Sequence, residues 1–192
     1  MGLLDVLTGK RKLAPPAPDR LFAISTAYVA LETSLEITSR GSAAIVFQSL
    51  ATADFRGIVR EMEEVVRATA GDSATRVRTS EDEYGFSWLM LHGSSFDDLV
   101  VGINAVSSAL QDGGYGERVL CAVFAFSDGR SRPLYLIYNY KRGTFYPLVP
   151  ASGGGAGQRD NERELVLKAQ LGSELPLESE LSRWFPLWGI PI

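Results

Sequence analysis

The clearest structural signal in the sequence is VLCAVFAFSDGRSRPLYLIYNYKRGTFYPLV, residues 119–149. Two long apolar segments, Val119 to Phe126 and Pro133 to Tyr140, flank the turn-forming residues SDGR. A second turn sequence, KRG, leads into a third segment from Thr144 to Val149. Apolar segments separated by short turn sequences are typical of consecutive antiparallel strands. We therefore predict strands here that belong to one antiparallel sheet.

Four other segments carry apolar residues at the spacing of an α-helix. The predicted helices cover about residues 19–32, residues 52–71, residues 95–113 and a segment that begins at Asn161. Thr52, Ser95 and Asn161 are candidate N-caps, because their side-chain oxygens can accept backbone N–H groups. In the last helix we expect the inward face to contain Leu165, Val166, Ala169 and Leu171.

Pairs of short strands separate the predicted helices. Residues 35–48 are predicted to form a hairpin that turns at Arg40-Gly41-Ser42, and residues 75–92 a hairpin that turns at Glu81-Asp82-Glu83. Strands that follow each other directly favour antiparallel pairing over βαβ crossovers. We therefore predict an α+β fold, with helices packed on one face of a largely antiparallel sheet built from successive helix–hairpin units.

Composition narrows the functional classes. The chain has 192 residues, of which 45% are hydrophobic and 22% are charged, as in a globular protein of one domain. The net charge of −4 argues against a nucleic-acid partner, since such proteins usually present a basic surface. A single cysteine, Cys121, excludes an internal disulfide framework and fits a reducing compartment. We therefore expect a cytoplasmic location.

The chain divides into an N-terminal segment, residues 1–18, and a single domain, residues 19–192, that ends in an aromatic tail. The N-terminal segment combines a short amphipathic stretch with three basic residues and a proline-rich linker. Such a stretch is either a docked helix, a frayed terminus, or a weak peripheral contact with the inner face of a membrane. The candidate membrane-contact residues are Leu3, Leu4, Leu7, Lys10, Arg11 and Lys12.

Catalytic and metal-binding patterns are poorly represented. His92 is the only histidine, so any Ser-His-Asp or Cys-His system has to use it. Cys121 lies inside an apolar predicted strand, where a thiol is usually a small buried group. One histidine and one cysteine do not make a usual zinc site. We predict no catalytic residue, metal or cofactor. The alternative is an enzyme or small-ligand-binding domain with a pocket between helices and sheet.

Two aromatic groups are candidate protein-binding sites. The first is on the predicted strands after residue 133 and contains Tyr138, Tyr140 and Phe145. The second is in the tail and contains Trp184, Phe185 and Trp188. Aromatic side chains supply much of the affinity of protein interfaces. The alternatives are cross-strand pairs within the sheet and a tail that packs over the domain, with Trp184 completing the core.

Several stretches resemble the PspA-associated protein family of PspAB type. They are MGLLDVLTGKRK at the start, YGFSW at 84–88, LQDGGYGERVLC at 110–121, YNYKRGTFYP at 138–147, RDNE at 159–162 and LSRWFPLWG at 181–189. The resemblance implies a cytoplasmic bacterial protein, often actinobacterial, encoded near PspA-type envelope-stress proteins. It implies a protein partner, such as a PspA-like coiled-coil protein, and carries over no catalytic residue. We therefore expect a non-enzymatic interaction or adaptor module.

Overall fold

The computed structural model describes residues 20–50, 52–69, 76–151 and 157–192. Within these ranges it contains four α-helices and six strands. The helices are α1 (Ala23–Leu35), α2 (Ala53–Thr69), α3 (Phe96–Asp112) and α4 (Asn161–Leu171). The strands are β1 (Thr38–Gln48), β2 (Arg76–Glu81), β3 (Phe86–His92), β4 (Val119–Ser127), β5 (Pro133–Asn139) and β6 (Thr144–Leu148).

The strands form one antiparallel sheet in the order β2-β3-β1-β4-β5-β6. The central strand β1 places Ile45 opposite Leu89 of β3 and Ala122 of β4. Strands β2 and β3 form the predicted second hairpin, and β4, β5 and β6 form the predicted meander. The predicted α+β class and antiparallel sheet are therefore confirmed.

The two faces of the sheet are covered by different structures. The helix-facing side includes Ile45, Phe47 and Leu89, which pack in one apolar cluster with buried apolar side chains from all four described helices. The opposite side includes Val46 and Val123. It packs against the C-terminal segment through Trp184, Leu187, Ile190 and Ile192. The prediction that helices cover one face is confirmed.

The predicted first hairpin is wrong, because residues 38–48 form the single strand β1. The register with β4 shifts between Ser39 and Ser42, so Arg40 and Gly41 form a bulge instead of a turn. Gly41 has a positive φ of 67° and its carbonyl accepts a hydrogen bond from Gly93 N–H at 3.0 Å. A glycine-containing sequence that resembles a turn can therefore also form a bulge within a continuous strand.

Helix termini follow the sequence pattern more closely than the helix faces do. Thr52 and Ser95 cap α2 and α3, accepting the N–H groups of Phe55 and Asp98 at 3.3 and 3.2 Å. The cap of α4 is Asp160, one residue before the predicted Asn161. The predicted inward residues Leu165, Val166 and Ala169 are exposed, and the buried residues of α4 are Glu164, Leu167 and Leu171.

The predicted N-terminal segment lies outside the described residues, as do the candidate membrane-contact residues within it. Membrane contact by that segment stays a prediction. In the part of the chain that the structure describes, no helix combines the length and the apolar character needed to cross a bilayer.

Candidate interaction site

The first predicted aromatic group belongs to the core. Tyr138, Tyr140 and Phe145 are at most 2% exposed and lie on the helix-facing side of the sheet. The Tyr138 ring packs 5.0 Å from Tyr140 and 4.7 Å from Phe145, measured between ring centroids. A partner cannot reach these side chains in the folded domain. The prediction of a docking face on these strands is corrected, because the helices already cover them.

Trp184 is also buried, so the tail packs over the domain at this point. Its side chain is 5% exposed and stacks on Tyr146 of β6, with ring centroids 6.2 Å apart. The indole Nε1 donates a hydrogen bond to the carbonyl of Glu178 at 3.0 Å. The Lys168 ammonium lies 5.7 Å from the ring centroid. Trp184 is therefore a structural residue, and its prediction as a partner contact is corrected.

Helix α4 and the C-terminal segment also carry exposed apolar side chains. Phe185 is 58% exposed and Trp188 is 38% exposed. Leu165 on α4 and Leu181 before Trp184 are 47% and 49% exposed. Leu165, Leu181 and Trp184 line a cavity of about 340 Å³ together with Arg159, Asn161 and Glu164. We call this cavity the tail groove, since it lies between α4 and the C-terminal segment.

A buried ion pair holds the base of the tail groove. Arg159 and Glu164 are 15% and 3% exposed, and the Arg159 Nη2 atom lies 2.8 Å from Glu164 Oε2. The same guanidinium donates to the carbonyl of Trp184 at 2.6 Å and to that of Pro147 at 3.4 Å. Glu164 also accepts the N–H of Val149 at 2.8 Å. One arginine thus connects β6, α4 and the tail.

A second buried carboxylate fixes the start of the tail. Glu178 is 3% exposed, pairs with Arg142 and accepts a hydrogen bond from the Thr144 hydroxyl at 3.3 Å. Residues 176–178 also pair with β6, where Phe145 N–H donates to Pro176 and Glu178 N–H donates to Phe145. Burial by itself raises the pKa of Glu178, but the Glu180 N–H and the Arg142 guanidinium together hold it below its usual value.

Sequence reasoning missed Arg159, Glu164 and Glu178. Arg159 stands in the RDNE stretch that carried the family resemblance, which marks the region without indicating its role. The spacing of Glu164, Leu167 and Leu171 places a carboxylate on the buried face of α4. Apolar periodicity does not reveal this face, because the pattern counts Glu164 as a solvent-facing residue.

His92 and Cys121 do not come together. Cys121 is paired with Val46 and His92 with Ser42, four residues away along β1, or about 13 Å at the rise of a strand. Burial raises the pKa of the Cys121 thiol to about 12, so the thiolate does not form near neutral pH. His92 Nδ1 lies 2.9 Å from the Ser42 hydroxyl oxygen.

The surroundings of His92 disfavour the positively charged imidazolium form of its side chain. Partial burial lowers its pKa, and the positive charges of Arg76 and Arg78 lower it further. A serine–histidine pair needs the opposite environment for general-base catalysis, because the histidine becomes positively charged during the reaction. Among the described residues there is also no cluster of three or more metal-ligating side chains.

Comparison with known proteins gives one result. No curated protein sequence and no solved structure is significantly similar to this chain. A family model described as PspAB, PspA associated protein B, matches residues 1–192, the entire sequence. The match includes the RDNE stretch, which supplies Arg159, and the LSRWFPLWG stretch, which supplies one wall of the tail groove. The chain therefore belongs to the family of PspA associated protein B.

Proposed function

We propose that this protein is a non-enzymatic interaction module that binds a protein of the PspA system through the tail groove. The observation that carries the proposal is the pair of exposed apolar side chains, Leu165 and Leu181, beside the fixed ring of Trp184 in the tail groove. The family description supports a link to PspA.

The rigidity of the groove supports an interaction role. Arg159 holds the Trp184 carbonyl, and Tyr146 donates a hydrogen bond to the carbonyl of Phe185 at 3.0 Å. The backbone beneath the exposed side chains is therefore fixed before a partner arrives. A preformed site loses less conformational entropy on binding, so more of the contact energy appears as affinity.

The shape of the groove favours a helical partner. Its walls are one face of α4 and the short 3₁₀ turn Leu181–Arg183. An amphipathic helix places apolar side chains at spacings of three and four residues, which suits an apolar groove between two elements. A PspA-like coiled-coil protein offers such helices, so we infer that one of its apolar helix faces is the bound surface.

The chemistry at His92 and Cys121 supports the non-enzymatic part of the proposal. The thiol is buried with a raised pKa, and the pKa of the imidazole is lowered beside two arginines. The thiol therefore stays protonated near neutral pH, and the imidazole is a weaker base than an ordinary histidine.

A titration of the purified PspA-family protein of the same host tests the proposal. The variant combines Leu165→Ala with Leu181→Ala, which removes two exposed apolar side chains that line the tail groove. We expect affinity to fall by about tenfold or more, the usual effect of removing central apolar contacts. Isothermal titration calorimetry measures the change.

The matched control is the double variant Tyr84→Ala and Val101→Ala. These residues are 72% and 49% exposed and lie outside the tail groove, so their removal deletes a similar apolar area. We expect their affinity to stay within twofold of the wild-type value. Equal affinity of the wild-type and the folded Leu165/Leu181 variant would exclude the tail groove as the binding site.

A further inference from the structure

A second cavity lies between α2 and the sheet, at the edge formed by β2 and β3. It has a volume of about 690 Å³, within the range of small-molecule pockets. Its floor contains the buried rings of Phe47 and Phe55, whose centroids are 5.9 Å apart. Leu50 and Val59 extend this apolar surface. We call this cavity the α2 pocket.

The α2 pocket exists because a small residue replaces a large one on the helix-facing side of β3. Leu91 and Leu89 fill that side under the helices, whereas the next inward position is Ser87. Register places Ser87 between Phe47 of β1 and Glu81 of β2. Its hydroxyl contacts that of Ser49, so two polar groups stand beside the apolar floor.

The walls of the α2 pocket differ in charge. Arg56 and Arg60 lie one helical turn apart on α2, and both are exposed at the rim. Glu81 lies on the strand wall opposite them. Two cations against one anion leave the lining with a net positive charge, concentrated on the helix side. Guanidinium groups recognise carboxylates and phosphates with paired hydrogen bonds.

We propose that the α2 pocket binds a single-chain amphiphilic anion, with an apolar chain on the phenylalanine floor and a carboxylate or phosphate at Arg56 and Arg60. The two hydroxyls of Ser49 and Ser87 provide hydrogen bonds to polar atoms next to the head group. An apolar floor with a few convergent polar groups is the usual composition of a ligand site.

The α2 pocket is independent of the tail groove. Strand order places β2 and β3 at one edge of the sheet and β6 at the other. The tail groove contains residues of α4 and the C-terminal segment, and the two cavities share no lining residue. Failure of either proposal therefore leaves the other standing.

Calorimetric titration of the full chain with dodecanoate, below its micelle concentration, tests the proposal. We expect saturable binding with one site, and no comparable binding of dodecyltrimethylammonium, which has the same chain and the opposite charge. The double variant Arg56→Gln and Arg60→Gln should bind dodecanoate about tenfold more weakly, since it loses charge-assisted hydrogen bonds.

Two further variants keep the test specific. Arg78→Gln combined with Arg130→Gln removes two exposed arginines outside the pocket and should leave dodecanoate affinity within twofold. Val59→Trp places a large ring in the pocket and should abolish binding in a protein with an unchanged circular dichroism spectrum. Equal binding of both amphiphiles, or unchanged affinity in Val59→Trp, would overturn the proposal.

A vesicle-binding experiment distinguishes a free amphiphile from a membrane lipid as the source of such an anion. Phosphatidylcholine vesicles that contain lysophosphatidylglycerol, an anionic lipid with a single acyl chain, are mixed with the wild-type and Val59→Trp proteins in a flotation assay. Dodecanoate binding without any Val59-dependent flotation indicates a free amphiphile as the ligand. Flotation that Val59→Trp reduces indicates a membrane lipid that enters the same pocket. Either result supports the amphiphilic anion, and absence of both excludes it.

Discussion

At the interaction site, the Arg159 side chain combines an ion pair with hydrogen bonds to two other parts of the chain. Its guanidinium forms a buried ion pair with Glu164 and donates to two carbonyl groups, Trp184 and Pro147. Removing one member of a buried pair leaves the other charge without compensation, which costs far more than breaking a surface pair. The role of Arg159 is therefore to hold three elements in one arrangement.

Arg159→Met should lower the free energy of unfolding by about 3–5 kcal/mol, because Glu164 then stays buried without its partner. Urea denaturation followed by tryptophan fluorescence measures this loss. The control is Arg183→Met, which breaks the exposed pair with Glu180 and should cost about 1 kcal/mol or less. Similar costs for the two variants would show that the Arg159 pair behaves as a surface contact.

Buried carboxylates are the residues that sequence reasoning predicts least well. The sequence does not indicate Glu164 and Glu178 as site residues, although each is at most 3% exposed. Burial of a charge depends on a partner from a distant part of the chain, such as Arg142 for Glu178. No local pattern of residues indicates which distant residue will be that partner.

At the scale of secondary structure, the bulge in β1 explains why two predicted strands became one. Gly41 takes a positive φ, which side-chain-bearing residues adopt with strain. A Cβ atom at this position would lie 2.7 Å from the carbonyl oxygen of Gly93. The bulge lets residues 38–39 pair with Phe126 and Ser127 after the register shifts.

Gly41→Ala should destabilise the protein by about 2–4 kcal/mol, since backbone strain and a steric overlap add together. Gly85→Ala is the matched control, because Gly85 also has a positive φ but its Cβ position is open within 4 Å. We expect the control to cost about 1 kcal/mol. Thermal unfolding of both variants measures the difference, and equal costs would mean that Gly93 moves aside.

Helix α4 shows the limit of periodicity as a guide to a helix face. Leu165 and Val166 are large apolar residues, so periodicity predicts them inside, yet both are about half exposed. The helix buries Glu164 instead, because Arg159 and the Val149 N–H group compensate its charge. Leu165 thereby becomes available to line the tail groove.

For the whole molecule, the C-terminal segment acts as a second layer on the sheet. Helices cover one face, and Trp184 with Leu187, Ile190 and Ile192 packs on the other. Both faces of the central strands are thus removed from water, which explains their nearly continuous apolar sequence. The exposed side chains of the same segment remain available to a partner.

Trp184→Ala should destabilise the protein by about 3–5 kcal/mol, the usual cost of removing a large ring from a core. Trp188→Ala should cost about 1 kcal/mol or less, because that ring is 38% exposed. Hydrogen exchange should also accelerate in β6 for the first variant, since Tyr146 loses its stacking partner. Slow exchange in β6 of a Trp184→Ala protein would contradict this role.

The two cavities lie at opposite edges of one sheet, which allows separate tests of their proposed functions. The tail groove has apolar side chains at Leu165, Leu181 and Trp184 and a charged base held by Arg159. The α2 pocket has an apolar floor and a cationic rim at Arg56 and Arg60. One domain can therefore hold a protein partner at one edge and a small ligand at the other.

Local patterns were enough to predict the α+β class, the antiparallel sheet and the caps at Thr52 and Ser95. Each of these depends on residues close together along the chain, through periodicity, turn chemistry or a cap. Tertiary packing alone established the β1 bulge, the buried aromatic strands and the tail groove. These depend on contacts between distant residues, such as Gly41 with Gly93 and Arg159 with Trp184, and burial is a property of those contacts.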